Sequence, residues 1–205
     1  MDEKEQLALD LFDHEAVKFG LFTLKNGSKS PIYITLRVLV SYPETLKRIA
    51  TAMAGMARSL KFDCIAGIAY TGIPIATALS LQTGWPMIHN RKEVKEYGIS
   101  KALEGVFEKG QTALVIDDLI TDGASKFEII APLEEAGLKI KDIIVLVDRE
   151  QGGKQKLAEK GYNLESVLKI SELLDILKSQ SKIPKEQYDS LKQYFADPAK
   201  WLEGK

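Results

Sequence analysis

The amino-acid sequence predicts an α/β fold: a mostly parallel twisted sheet with helices on both faces. Two observations predict it. From Cys64 onward short apolar runs alternate with helical segments, and those runs are apolar throughout instead of alternating with polar residues. The 205 residues suffice for one domain with a full core, and no repeat, low-complexity tract or Pro/Gly/Ser-rich linker divides them.

The elements follow in order. Leu7, Leu11, Phe12, Ala16 and Phe19 carry helical spacing across residues 3–18. Asn26-Gly27 lies between Leu21–Leu24 and Ile32–Ile34, a hairpin-like pair of strands with a connection longer than two residues. An amphipathic helix covers 44–60. Strands are expected at Cys64–Ala69, Pro86–His89, Thr112–Ile116, Ile143–Val147 and Leu164–Ile170. Helices are expected at Ile73–Thr83, at Ser125–Ala136 with a stop at Gly137, at Lys154–Lys160, and near 171–180 and 184–195. Residues 91–108 are charged and poor in core-forming side chains, and a polar loop of that length in a compact domain is usually functional or disordered.

Composition narrows the classes. The formal net charge of −1 offers no basic excess for nucleic acid and no acidic tail. A single cysteine, Cys64, excludes an internal disulfide and a Cys-rich metal site, and fits a reducing compartment. Met1–Glu5 is too polar for a signal peptide, and the apolar runs fall well short of the roughly 20 residues that cross a bilayer. A soluble cytoplasmic protein, with no membrane or nucleic-acid partner, is expected.

A parallel sheet of this kind binds ligands outside the carboxyl ends of its strands. The strongest signal there is the stretch from Leu114 to Ser125, in which an apolar strand runs into Asp117-Asp118 and then Thr121-Asp122-Gly123-Ala124-Ser125 at the start of a helix. Amides at a helix N-terminus and small hydroxyl side chains make an anion cradle, and Gly123 lets the backbone come close. Two carboxylates beside it can accept hydrogen bonds from a vicinal diol. Together they suit a ribose 5-phosphate; the ordinary alternative is an acidic turn capping a helix.

This stretch resembles the phosphoribosyl pyrophosphate motif of type I phosphoribosyltransferases, with Asp122 where a small residue is common. Four further segments resemble the orotate phosphoribosyltransferase branch, in that family's order. They are Phe22–Ile34, Ala69–Pro74, Arg91–Gly98 and Asp148–Gly153. The resemblance implies the type I fold with a small hood built from N- and C-terminal segments. The whole of 1–205 would then be one domain: a base-binding hood over 1–40, the core sheet over 41–170 and closing helices over 171–205.

The resemblance also implies roles. Asp117 and Asp118 would hold the ribose hydroxyls, and Thr121, Asp122, Gly123, Ala124 and Ser125 the 5-phosphate. Tyr70, Thr71 and Gly72 would meet the pyrophosphate, with Thr71 where many members carry Lys. Lys25 and Arg149 would recognise the orotate carboxylate, for which Arg offers a bidentate fork. Tyr33, Ile34 and Thr121 would border the ring. Lys92 would serve its own subunit's pyrophosphate, while Arg91, Lys95 and Tyr97 reach the neighbour's site. Taken singly, Lys25 reads first as a surface lysine before a turn, Arg149 as a strand-end charge paired with Asp148 or Glu150, and 91–98 as a solvated polar loop; the family's pattern is what turns each toward function.

The implied reaction joins orotate to phosphoribosyl pyrophosphate, giving orotidine 5′-phosphate and pyrophosphate. Positioning and charge neutralisation would dominate, Mg²⁺ would arrive on the substrate's pyrophosphate without a protein metal site, and a closing loop would exclude water. A homodimer sharing the 91–108 loop is implied, and the chain's length suggests a separate orotidine phosphate decarboxylase. Two rivals stay open: a non-catalytic sensor of phosphoribosyl pyrophosphate, and transfer to another base.

Other features read as structural. His14 and His89 are isolated, Cys64 opens a buried strand, and Trp85 and Trp201 pack at element ends. Gly105–Thr112 imitates a phosphate-binding P-loop but has Gln111 in place of Lys and precedes a strand.

Overall fold

The computed structural model describes residues 2–23, 27, 29–91 and 103–203. In chain order the elements are α1 (Glu3–Asp13), β1 (Val17–Thr23), β2 (Lys29–Ile34), a 3-10 turn (Leu36–Ser41), α2 (Pro43–Ala57), β3 (Cys64–Gly67), α3 (Gly72–Thr83), β4 (Met87–Asn90), β5 (Leu103–Glu104), β6 (Thr112–Ile120), α4 (Ala124–Glu135), β7 (Lys139–Asp148), α5 (Gly153–Glu159), β8 (Asn163–Lys169), α6 (Ile170–Ser179), α7 (Lys185–Ala196) and α8 (Pro198–Glu203).

Among the described residues a six-stranded sheet has the order β5-β4-β3-β6-β7-β8, and β1-β2 form a separate two-stranded sheet. All pairings in the larger sheet are parallel except the edge pair β4-β5. The central strands explain their own burial. Ala113, Val115, Ile143 and Val145 face Ile130 and Leu133 of α4 and Leu157 of α5. Leu114, Ile116, Ile144 and Leu146 face the opposite core, built from α1, α2, α3, α6, α7 and the β1-β2 hairpin. Successive side chains of a strand point to opposite faces, so a strand covered on both sides must be apolar throughout.

Four expectations change. The helical spacing over 3–18 is broken at Asp13, because Glu15 takes a left-handed φ of 55° and Val17 starts β1. Ala16 and Phe19 therefore belong to the hairpin side of the core. Strand β6 runs on through Ile120 instead of stopping at Ile116. The polar stretch 91–108 is not uniformly coreless, since Leu103 is buried in β5 and pairs with Asn90. Finally, α8 follows the two expected closing helices and buries Trp201, whose indole N–H donates to Ser190 Oγ at 2.9 Å.

The remaining decoys are structural as well. His14 stacks on Tyr42 with centroids 3.6 Å apart, and Trp85 packs edge-on to Phe62 at 4.9 Å. His89 lies on β4 and Cys64 is buried in β3. Among the described residues no helix is long and apolar enough to cross a membrane.

Leu191 of α7 is fully buried in the same core as Ile32 of the hairpin and Leu146 of the sheet. Leu191→Ala is expected to lower the unfolding free energy by about 2–5 kcal/mol in one cooperative transition. Urea denaturation followed by both circular dichroism and fluorescence checks this. Two separated transitions would mean that the hairpin and closing helices form a core of their own.

Candidate functional site

The site begins with the ends of three adjacent parallel strands, β3, β6 and β7. The turns after them are forced together by positions that leave no room for a side chain. A Cβ on Gly72 would lie 2.6 Å from the Ile116 carbonyl oxygen and 3.2 Å from Asp117 Cα. A Cβ on Gly153 would lie 2.7 Å from the Thr121 carbonyl oxygen, and Gly153 N–H donates to that oxygen at 3.1 Å. Gly123, at φ 81°, faces Gly153 Cα, and Arg149 N–H donates to the Ile120 carbonyl at 3.0 Å. The segments 69–72, 117–125 and 149–153 thus converge.

The 69–72 turn is held from both sides. Ile68 N–H donates to Ile116 carbonyl, and Ala69 N–H donates to Asn90 Oδ1 at 2.8 Å. The Ala69–Tyr70 peptide is cis. Thr71 is buried and Tyr70 exposed. Asn90, at the end of β4, escaped the sequence reading because its amide supports the turn without lying in it.

The acidic pair is not two equal carboxylates at a strand's end. Asp117 and Asp118 lie within β6, so their side chains leave opposite faces. Asp117 is buried; its Oδ1 accepts the Asp118 N–H at 2.8 Å and its Oδ2 is paired with the buried Lys126 ammonium. Burial pushes the Asp117 carboxyl up, to about 7, with Lys126 acting against the rise and Asp118 adding to it. Lys126 is absent from the sequence reading. A lysine in the first turn of a helix ordinarily reaches solvent, and nothing in its spacing signals the inward path.

The loop that follows has the expected form. Gly123 precedes α4, and Thr121 is half-buried while Ala124 and Ser125 are exposed. Asp122 points away into solvent. Its Oδ1 accepts the Ala124 N–H at 3.3 Å and its Oδ2 lies 3.5 Å from Lys156 Nζ. The carboxylate therefore caps the helix and meets a cation, which offsets its negative charge beside the loop.

Arg149 does not pair with Asp148 or Glu150. Asp148 accepts the Glu150 N–H at 2.8 Å, and Glu150 accepts the Ser171 N–H at 2.9 Å. Arg149 instead turns to α7, where its guanidinium lies 5.9 Å from the Phe195 ring centroid and beside Tyr194. Its Nε is buried with no hydrogen-bond partner. Burial pulls its pKa below the ordinary guanidinium range, opposed by Tyr194. Tyr194 and Phe195 lie some 45 residues downstream, too far for local spacing to connect them with Arg149.

The other expected residues divide. Tyr33 and Ile34 lie on β2, apart from the large sheet, with Tyr33 exposed and 5.5 Å from the Phe22 ring. Arg91 pairs with Glu104 of β5 at 2.5 Å. Lys25, Lys92, Lys95 and Tyr97 lie outside the described residues. Among the described residues no group of three or more His, Cys, Asp or Glu is placed to hold a metal ion.

The raised pKa of Asp117 has a consequence for stability. The native state retains a proton that the unfolded chain releases, so stability is lost as pH rises from about 4 to about 7, by at most ~1.4 kcal/mol per unit. Urea titrations of wild type and Asp117→Asn across this range should show the wild-type advantage shrinking as pH rises. A constant or growing advantage would mean that Lys126 keeps the carboxylate ionised throughout.

No family model matches the chain. The uridine 5′-monophosphate synthase of Bos taurus is 40% identical over 195 residues, covering 94% of this chain and 41% of that protein. The orotate phosphoribosyltransferase of Caenorhabditis elegans is 36% identical over 191 residues, covering 92% of this chain and 84% of that protein. The solved structure of Leishmania donovani UMP synthase matches with a TM-score of 0.87 at 40% identity, covering 94% of this chain and 42% of that one. The chain thus spans about two fifths of either synthase and most of the nematode protein. With that similarity over nearly its whole length, and the strand-end site in place, the chain belongs to the orotate phosphoribosyltransferase family.

Proposed function

We propose that this chain transfers the 5-phosphoribosyl group of phosphoribosyl pyrophosphate to orotate, giving orotidine 5′-phosphate and pyrophosphate, as a step of de novo UMP biosynthesis. The observation that carries the reading is the convergence of the 69–72, 117–125 and 149–153 segments, joining an anion loop, an acidic pair and a buried arginine. The 5-phosphate sits in the Thr121–Ser125 loop, and the ribose hydroxyls donate to Asp117 and Asp118. Tyr70, Thr71 and Gly72 border the pyrophosphate. The unpartnered Arg149 Nε supports recognition of an acidic base, because a buried donor without an acceptor is costly until a ligand supplies one. Lys25, Tyr33, Ile34 and Thr121 complete the base site.

In the reaction the bond from the anomeric carbon to pyrophosphate breaks, the sugar passes through an oxocarbenium-like state, and a ring nitrogen of orotate attacks. The protein's work is to hold both partners in line and to meet the departing charge. Arg91, Lys92, Lys95 and Tyr97 supply donors for that charge, some of them across a homodimer interface. Among the described residues two adjacent carboxylates stand at the sugar, and one is tied to Lys126, so the donor set fits Mg²⁺ carried by the substrate's own phosphates. That cation neutralises pyrophosphate when bound.

The decarboxylation of orotidine phosphate need not belong to a separate protein. The relatives named UMP synthase and "bifunctional enzyme" are more than twice as long as the region matched, so the same polypeptide can carry both steps. We place the activity in the cytoplasm.

Incubation with orotate and Mg²⁺·phosphoribosyl pyrophosphate should yield orotidine 5′-phosphate; no product, or product with uracil or a purine alone, would overturn the assignment. Arg149→Leu should raise the orotate KM about 10- to 100-fold, the worth of one charge-assisted hydrogen bond, with little change for the sugar substrate. Lys95→Ala should lower kcat, and undiminished turnover would refute the loop's role.

A further inference from the structure

We propose that Lys126 is a positioning residue of the sugar-phosphate site: it closes the 118–125 loop, orients the Asp117 carboxyl as an acceptor for the ribose, and favours its ionised form as pH rises through neutrality. The inference rests on the sugar-phosphate reading above. Lys126 is 4% exposed and Asp117 5% exposed, so neither charge is satisfied by water. Burying either alone is costly, and the pair persists only because each neutralises the other.

Two contacts make Lys126 the clasp of the loop. Its main-chain N–H donates to the Gly123 carbonyl at 3.0 Å, fixing the turn at the helix start. Its side chain returns to Asp117 Oδ2 on β6, across the base of the loop. With Asp118 N–H on Oδ1, two of the carboxylate's roughly four acceptor positions are used, and its orientation is set while others stay open.

The charges acting on Asp117 are Lys126 from α4 and Asp118 from β6; α3 and β7 present Gly72 and Val145 there. Burial and Asp118 both favour the protonated acid, which loses acceptor capacity. Among the described residues Lys126 is the cation that opposes them. It acts on the sugar through Asp117 and need not touch it.

The test compares wild type with Lys126→Met, Lys126→Gln and Lys126→Arg from pH 6 to 9. Calorimetric titration with Mg²⁺·phosphoribosyl pyrophosphate, without base, is paired with KM for each substrate. Lys126→Met should weaken sugar binding about tenfold near neutrality, the effect of displacing one pKa by about one unit. The orotate KM should stay within about twofold. The ionised acid is the acceptor, so binding should recover as pH rises, with its midpoint above that of wild type. Lys126→Arg, which keeps the charge, should restore most of the affinity. Lys126→Gln keeps a donor without charge and should show the same upward shift if the Met variant folds poorly. Unchanged sugar binding, or an equal loss for both substrates with an unmoved pH profile, would overturn the proposal. Wild type that binds no phosphoribosyl pyrophosphate would overturn the functional reading and this inference together, an outcome distinct from the previous two.

Discussion

The turns after β3, β6 and β7 approach one another at backbone distance, and everything chemical in the molecule depends on that approach. Gly72 lies against the Ile116 carbonyl, and Gly153 against the Thr121 carbonyl, with no space for even a methyl group. Parallel strands end level on one side of a sheet, so the turns that follow them are neighbours by topology. Glycine at these two places converts neighbourhood into contact. The 121–125 loop, the acidic pair and Arg149 are then fixed by the ends of the central strands, and the apolar cores on both faces of the sheet hold those strands in register.

Electrostatics refine this geometry. The converging turns bring cations and carboxylates within a few ångströms of one another, and burial penalises each. The structure handles the problem locally. Asp117 is matched by Lys126, Asp122 caps α4 and meets Lys156, and Arg149 rests on the aromatic face that α7 provides. The last arrangement makes the closing helices part of the site. Their core residue Leu191 packs in the same cluster as Ile32 of the hairpin, so the hairpin is held by the same burial that holds the helix beneath Arg149.

Much of the fold was legible in the chain. The apolar runs fixed the parallel sheet because strands buried on both faces cannot alternate, and the residues from Asp117 to Ser125 marked the turn from a strand into a helix, where an anion cradle and a plain helix cap look alike. What stayed hidden was long-range or contrary to propensity. Periodicity extended α1 past Asp13, because Ala16 and Phe19 are buried for reasons of tertiary packing. Leu103 lay among charges and looked like loop, although pairing with Asn90 makes it sheet. Lys126 carried no signal, because a first-turn lysine ordinarily reaches solvent, and Tyr194 and Phe195 had no local tie to Arg149. Each omission is a contact made across the fold, which spacing along the chain does not encode.

The most direct measurement of the central claim is a crystal structure with Mg²⁺·phosphoribosyl pyrophosphate bound. The account predicts the 5-phosphate within hydrogen-bonding distance of the Thr121–Ser125 amides and hydroxyls, with the ribose diol on the acidic pair and the pyrophosphate beside Tyr70–Gly72. A sugar phosphate bound instead in the cleft of about 350 Å³ between the hairpin and α7, with the 121–125 loop unliganded, would contradict it.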